Sequence, residues 1–224
     1  MKKVWLATVL SLCVSSAFAA DPSAVLKLKG TLTNASCTPT LSGGGTIDYG
    51  TVNLGSLSAT AVNQLGQKDF SLTISCQAPI KVGFSVNDDR SGTAANVVVK
   101  NGTVAGVDVL QPVNLFGVNT TAGNVKIGNY SMFVKTDSIT ADGNAVGATY
   151  SSDNGTSWSN VGSLMQNNAS EIVTVATTGE TAPLAFTQAV VPMAISLAIQ
   201  DTTTLAITDD TSIDGQATFT LKYL

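Results

Sequence analysis

The stretch GQATFTLKYL, residues 215–224, closes the chain in strict alternation. Ala217, Phe219, Leu221 and Tyr223 fall on one side, Thr218, Thr220 and Lys222 on the other. Successive side chains of an extended strand point to opposite faces, so this pattern predicts a β-strand with one apolar face. The same period of two recurs upstream. Phe70, Leu72, Ile74 and Cys76 alternate, followed by Ile80, Val82, Phe84 and Val86. Ile127 to Val134, Val146 to Tyr150, Ile172 to Ala176 and Val190 to Ile199 are further strand candidates; Ile47, Tyr49, Val52 and Leu54 mark another, broken at Gly50. Short strands separated by turns rich in Gly, Asn and Asp, without a 3.6-residue apolar stripe, predict an all-β chain folded as an antiparallel β-sandwich. No low-complexity linker or internal repeat divides the chain. The polar middle, about residues 91–187, reads as strands and long loops inserted in the same domain.

Composition narrows the chemistry. The 224 residues include no histidine, and only 12% are charged. Ser-His and Cys-His nucleophilic pairs and histidine-ligated metals are therefore excluded, together with the commonest general base near neutral pH. Eleven Lys+Arg against fifteen Asp+Glu give a net charge of −4, so no basic footprint points to nucleic acid.

The amino end reads as a secretory signal peptide, residues 1–19. Lys2 and Lys3 precede the apolar run from Val4 to Val14, and Ala17 and Ala19 supply the small residues of a cleavage site before Ala20. A membrane anchor would need about twenty apolar residues, more than this run provides. The expected mature chain is exported and carries two cysteines, Cys37 and Cys76, because Cys13 lies in the signal. In an oxidising compartment two cysteines most simply form one structural disulfide, and the CxxC spacing of a redox pair is absent.

Next to the signal, Val25 to Thr33 is a second alternating strand, with Leu26, Leu28 and Leu32 on one face. Its fourth facing position is Gly30, and a glycine within a strand marks a close approach by another group. KGTLTNASC (29–37), IDYGTV (47–52), FSLTISC (70–76) and the C-terminal strand with Gly215 and the next-to-last Tyr223 resemble, in order and spacing, the subunits of bacterial chaperone–usher fimbriae. SCTPTLSGGGTIDYG (36–50) is similar to a poorly characterised branch of fimbrial-like proteins. The resemblance covers about residues 1–90 and 188–224.

The resemblance implies an immunoglobulin-like sandwich lacking its last strand. A periplasmic chaperone lends a strand to the resulting groove. At the outer-membrane usher, the extension of a neighbouring subunit replaces that strand, and the fibre grows on the cell surface. On this reading residues 20–33 are the extension, with Leu26, Leu28, Gly30 and Leu32 as donor strand, and residues 34–224 are the sandwich. Ala217, Phe219, Leu221 and Tyr223 border the groove and meet the chaperone. Main-chain hydrogen bonds and alternate side chains in pockets would then carry recognition. The alternative for residues 24–33 is an ordinary first strand of a self-contained sandwich.

Other motifs weigh less. SSDNGTSW, residues 151–158, resembles an Asp-box hairpin, in which Asp153 bonds the turn, Gly155 takes positive φ and Trp158 covers the hairpin. Trp158 could instead stack on a sugar, the basis of an alternative in which residues 91–187 bind a host or surface glycan. Asp88-Asp89 and Asp209-Asp210 fit no calcium loop and read as solvated turns. Gly43 to Gly45 lacks the Lys-Ser/Thr of a phosphate loop. The expectation is a fimbrial structural subunit contributing to adhesion, without enzymatic activity, metal or cofactor. A hydrolase with paired carboxylates is the least supported reading.

Overall fold

The computed structural model describes Leu28, Gly30, residues 36–160, Gly162 and residues 164–224. The signal peptide and most of the extension, Leu26 and Leu32 included, lie outside the described residues. From Ser36 onward the chain forms a sandwich of two sheets in which every described strand pairing is antiparallel.

The first sheet starts at β1 (Cys37–Leu41), which pairs with the long β2 (Asn63–Ile80). The second sheet takes β3 (Val82–Asp88), reached from β2 through a single residue. The middle of the chain supplies β4 (Phe116–Gly117), β5 (Gly128–Val134), β6 (Thr140–Ala141) and β7 (Asn144–Ala145) to the first sheet. It supplies β8 (Gly147–Ser151), β9 (Ser159–Asn160) and β10 (Ile172–Ala176) to the second. Then β11 (Phe186–Ile199) returns to the first sheet, and β12 (Ala217–Tyr223) closes the second. The orders are β1-β2-β11-β5-β4, with β6 and β7 beside β11, and β12-β3-β10-β8-β9.

Inward residues at period two fill the core: Leu72 and Ile74 of β2, Val82, Phe84 and Val86 of β3, Met132 of β5, Val173 and Val175 of β10, and Met193 of β11. β5 is buried along its whole length, outward residues included. The segment from Val97 to Leu115 covers them. Ser131 Oγ donates to the Gly102 carbonyl (2.9 Å) and Ser196 Oγ to that of Asn101 (3.0 Å). Asn129 exchanges two hydrogen bonds with the Val97 backbone. Polar residues on an outer face are thus buried with partners, as burial requires.

Two expectations need correction, those for Ile47 to Leu54 and for Asp88. Ile47 to Leu54 forms no strand; Gly45 and Gly50 have φ of 78° and 66°, which end extension, and Asp48 Oδ1 accepts from Gly50 N–H (2.7 Å). Residues 91–187, read from sequence as strands and long loops in the same domain, provide β4 to β10, with strands in both sheets. Asp88 is not in a solvated turn: it is 2% exposed, and its carboxylate accepts from the N–H groups of Arg90 and Gly117 (2.9 Å each). Burial raises its pKa above the ordinary carboxylate value, against the pull of those two hydrogen bonds. Asp209 and Asp210 are exposed, as expected of a turn.

Candidate functional site

The two halves of the sandwich end in edge strands that face one another, β1 in one sheet and β12 in the other. β12 pairs with β3 from Ala217↔Asp88 to Tyr223↔Val82. Asp89 N–H donates to the Gln216 carbonyl (3.0 Å) and Leu224 N–H to that of Lys81 (3.1 Å). In an antiparallel ladder only alternate residues bond to a given neighbour. Those two bonds therefore assign the even-numbered residues of β12 to β3, and the odd ones, Ala217, Phe219 and Leu221, turn N–H and C=O to the open side. Among the described residues these groups have no partner. The side chains of the same three residues are half-buried against the core. The final strand predicted from sequence is thus in place, with one edge unpaired among the described residues.

Across the gap, Gln77 N–H donates to the Ser36 carbonyl (3.1 Å), which assigns the even residues of β1 to β2 and turns Cys37, Pro39 and Leu41 toward β12. Cys37 N–H donates to Tyr223 Oη (2.9 Å), so the two edges meet at that end. Cys37 and Cys76 lie directly opposite at a non-hydrogen-bonded pair, with Cα atoms 4.0 Å apart, and form the expected disulfide. Toward the other end the edges part. A cavity of about 230 Å³ opens there, lined by Leu41, Ile47, Phe70, Ile195, Ile213 and Phe219 among others. A second gap between Pro39, Leu41 and Phe219 continues it. Ile47 and Tyr49, read from sequence as strand residues, serve instead as groove wall. Tyr49 Oη donates to the Gly66 carbonyl (2.9 Å), and burial pushes its phenol up to about 12.

Phe219 is the centre of the site. Its ring meets Phe70 edge-on (centroids 6.3 Å) and lies tilted against Phe84 (6.0 Å), bridging the two sheets. The approach to β12 is fixed from behind. Arg90 pairs with the Asp214 carboxylate (2.6 Å) and also bonds its carbonyl, while Thr218 Oγ1 donates to Asp89 (2.7 Å). At Gly215 a Cβ would stand 2.9 Å from the Tyr130 ring, so only glycine lets the chain pass there unshifted. This was not legible from sequence, where Gly215 was only a part of a pattern.

Leu28 and Gly30 are described and exposed. Trp158 lies away from the groove, half-buried in the β8–β9 hairpin close to Gly155, which has φ of 90°. Asp153 accepts from Ser151 Oγ (2.7 Å), Ser157 Oγ (2.5 Å) and Ser157 N–H (2.9 Å), and these bonds lower its pKa to about 2. These three bonds tie the carboxylate to its own turn.

Residues 26–131 match the family described as a protein of unknown function (DUF1120). The chain is 30% identical to Protein GltF of Escherichia coli strain K12 over 249 aligned positions, covering 96% of this chain and 94% of that protein. It is 26% identical to the uncharacterized protein YhcF of the same organism, over 93% of each chain.

Proposed function

This chain belongs to the same family as GltF, and on that premise we propose that it is an exported structural subunit of a surface fibre. It accepts an extended strand from a partner along β12. The observation that carries this reading is the open edge of β12 beside an apolar groove. Three alternate residues offer both their backbone bonds and a half-buried apolar face to the same incoming strand. Strand addition uses both at once: the ladder supplies affinity and the pockets fix register.

In the cell, a periplasmic chaperone fills the groove first, and the usher exchanges that strand for residues 20–33 of a neighbouring subunit. Leu26, Leu28, Gly30 and Leu32 are the inward positions of that donor. The protein acts by pairing strands, without catalysis or cofactor, and contributes to adhesion as part of a fimbria. The Asp-box hairpin is a structural turn on this reading, because Asp153 bonds to Ser151 and Ser157 of its own loop.

Deleting residues 20–33 tests the proposal. The shortened protein should still be recovered with its chaperone and should fail to enter fibres. Normal polymerisation of the deleted protein would overturn the reading.

A further inference from the structure

Ile47 and Tyr49 wall the wide end of the cavity from a segment with few attachments. Upstream of it, Ser42 Oγ accepts from Ser71 N–H (2.9 Å). Downstream, Ser58 N–H donates to Asn63 Oδ1 (2.7 Å), and the Ser58 carbonyl accepts from Thr202 N–H (3.1 Å). Between these anchors no backbone hydrogen bond joins residues 43–57 to any other segment among the described residues. Side chains hold them instead. Ile47, Tyr49 and Leu57 pack on the core, and Tyr49 Oη supplies the one hydrogen bond, to the Gly66 carbonyl. A segment with few buried contacts and no ladder opens at a small fraction of the cost of global unfolding.

The acceptor of that bond is shaped by β2. Its register against β11 slips between Leu197↔Gly66 and Ala198↔Gln64, which leaves Leu65 without an opposite residue, and Gly66 takes φ of 86°. Such a bulge bends a strand and re-aims its groups. Two residues on, Lys68 Nζ lies 5.6 Å from the centre of the Tyr49 ring, within cation–π range. At the other end of the segment, Gly43, Gly44 and Gly45 have φ of 61°, 65° and 78°. A Cβ at Gly43 or Gly44 would meet no atom within 4 Å, so space does not demand glycine there, whereas the left-handed backbone does.

We propose that residues 43–57 are a lid over the wide end of the cavity, hinged at Gly43–Gly45 and latched by Tyr49 on Gly66 and Lys68. Opening swings Ile47 and Tyr49 away together. It uncovers the cavity floor, where Met132 and Leu197 are 3% and 2% exposed in the closed form. The lid governs access to that floor irrespective of which partner fills the groove.

The test is iodoacetamide labelling of the full chain carrying Met132→Cys, without denaturant, read at position 132 by mass spectrometry. Adding Tyr49→Phe keeps the ring and removes the latch hydroxyl, and labelling should quicken about fivefold, the equivalent of one net hydrogen bond. Adding Lys68→Met should quicken it about two- to fivefold, the worth of an exposed cation–π contact. Val175→Ala is the control. Val175 is 2% exposed in β10 of the other sheet, so its truncation weakens the whole sandwich without touching the lid. Labelling of that variant should stay within about twofold of the parent, because a local opening does not follow global stability.

Acceleration by Val175→Ala equal to that by Tyr49→Phe would show that the thiol is reached by global unfolding. No acceleration by Tyr49→Phe, or a parent labelled as fast as the urea-unfolded chain, would show that no closed lid exists. Each of these results overturns the lid and leaves the proposed function standing.

Discussion

Replacing Phe219 with alanine separates the groove from the core it is built on. The ring lies between Phe70 and Phe84 and is half-buried, with its remaining surface on the cavity. Truncating a fully buried phenylalanine costs about 3–5 kcal/mol. Half of that, about 2 kcal/mol, is the expected loss in the unfilled sandwich. The other half appears only when a strand covers the ring, so strand binding should weaken by a further ~2 kcal/mol, roughly thirtyfold in affinity. Phe84→Ala is the control: Phe84 is 1% exposed before any strand arrives, so its whole cost should fall on folding and little on binding. The assay pairs urea unfolding of each variant with titration of a synthetic peptide spanning residues 22–35. A Phe219→Ala protein that binds the peptide within a factor of about two of wild type, having lost the full 3–5 kcal/mol in folding, would show that the ring belongs to the core.

Three further outcomes follow from the geometry. Replacing both Cys37 and Cys76 with alanine should cost about 4 kcal/mol in unfolding free energy, from the entropy of a loop spanning 39 residues, measured by urea denaturation against the oxidised wild type. Asp88 has a pKa raised by burial, so the stability it contributes is complete below the ordinary carboxylate range and is lost as pH rises through its folded value. Unfolding free energy measured from about pH 3 to about pH 7 should fall with rising pH at this group, and Asp88→Asn should remove that component. A Cβ at Gly128 would press on the Ala198 carbonyl and stand 2.8 Å from Ile199 Cα, so Gly128→Ala must displace the β5–β11 pairing. A loss of about 1–3 kcal/mol is expected, visible as a lowered melting temperature.

Strands with a clean apolar face were legible at residue level. Ala217 to Tyr223 has the bounds that alternation predicts, because it packs one face on the core and keeps a regular ladder with β3, while Ile172 to Ala176, buried on both faces, is marked by its short apolar run. β2 was readable only from Phe70, although it starts at Asn63. Its first half, Asn63 to Asp69, is largely exposed and is held by pairing to β11, so backbone bonding rather than burial defines it and no side-chain period records it. Ile47 and Tyr49 alternate for a different reason: they face a groove from a loop, which imitates a strand in sequence. Asp88 escaped notice because its partners, above all the Gly117 amide, are distant in sequence. The donor set of each groove wall depends on which parity faces the gap, and that is set by register, which side-chain patterns alone do not give.

The edges of the described sheets show why one of them can serve assembly. An unpaired edge invites uncontrolled pairing, and proteins suppress it with short strands, prolines and bulges. Here β4, β7 and β9 are edges of two residues each, too short to template a partner. β1 has five residues and carries Pro39 on its open side. β12 has seven and no such device: its facing residues are alanine, phenylalanine and leucine, and no proline interrupts it. A monomer selected only against aggregation has no reason to blunt the other described edges and leave the longest, most apolar one free. The asymmetry becomes intelligible if, as in the function proposed above, the free edge is covered until assembly by a strand from another chain.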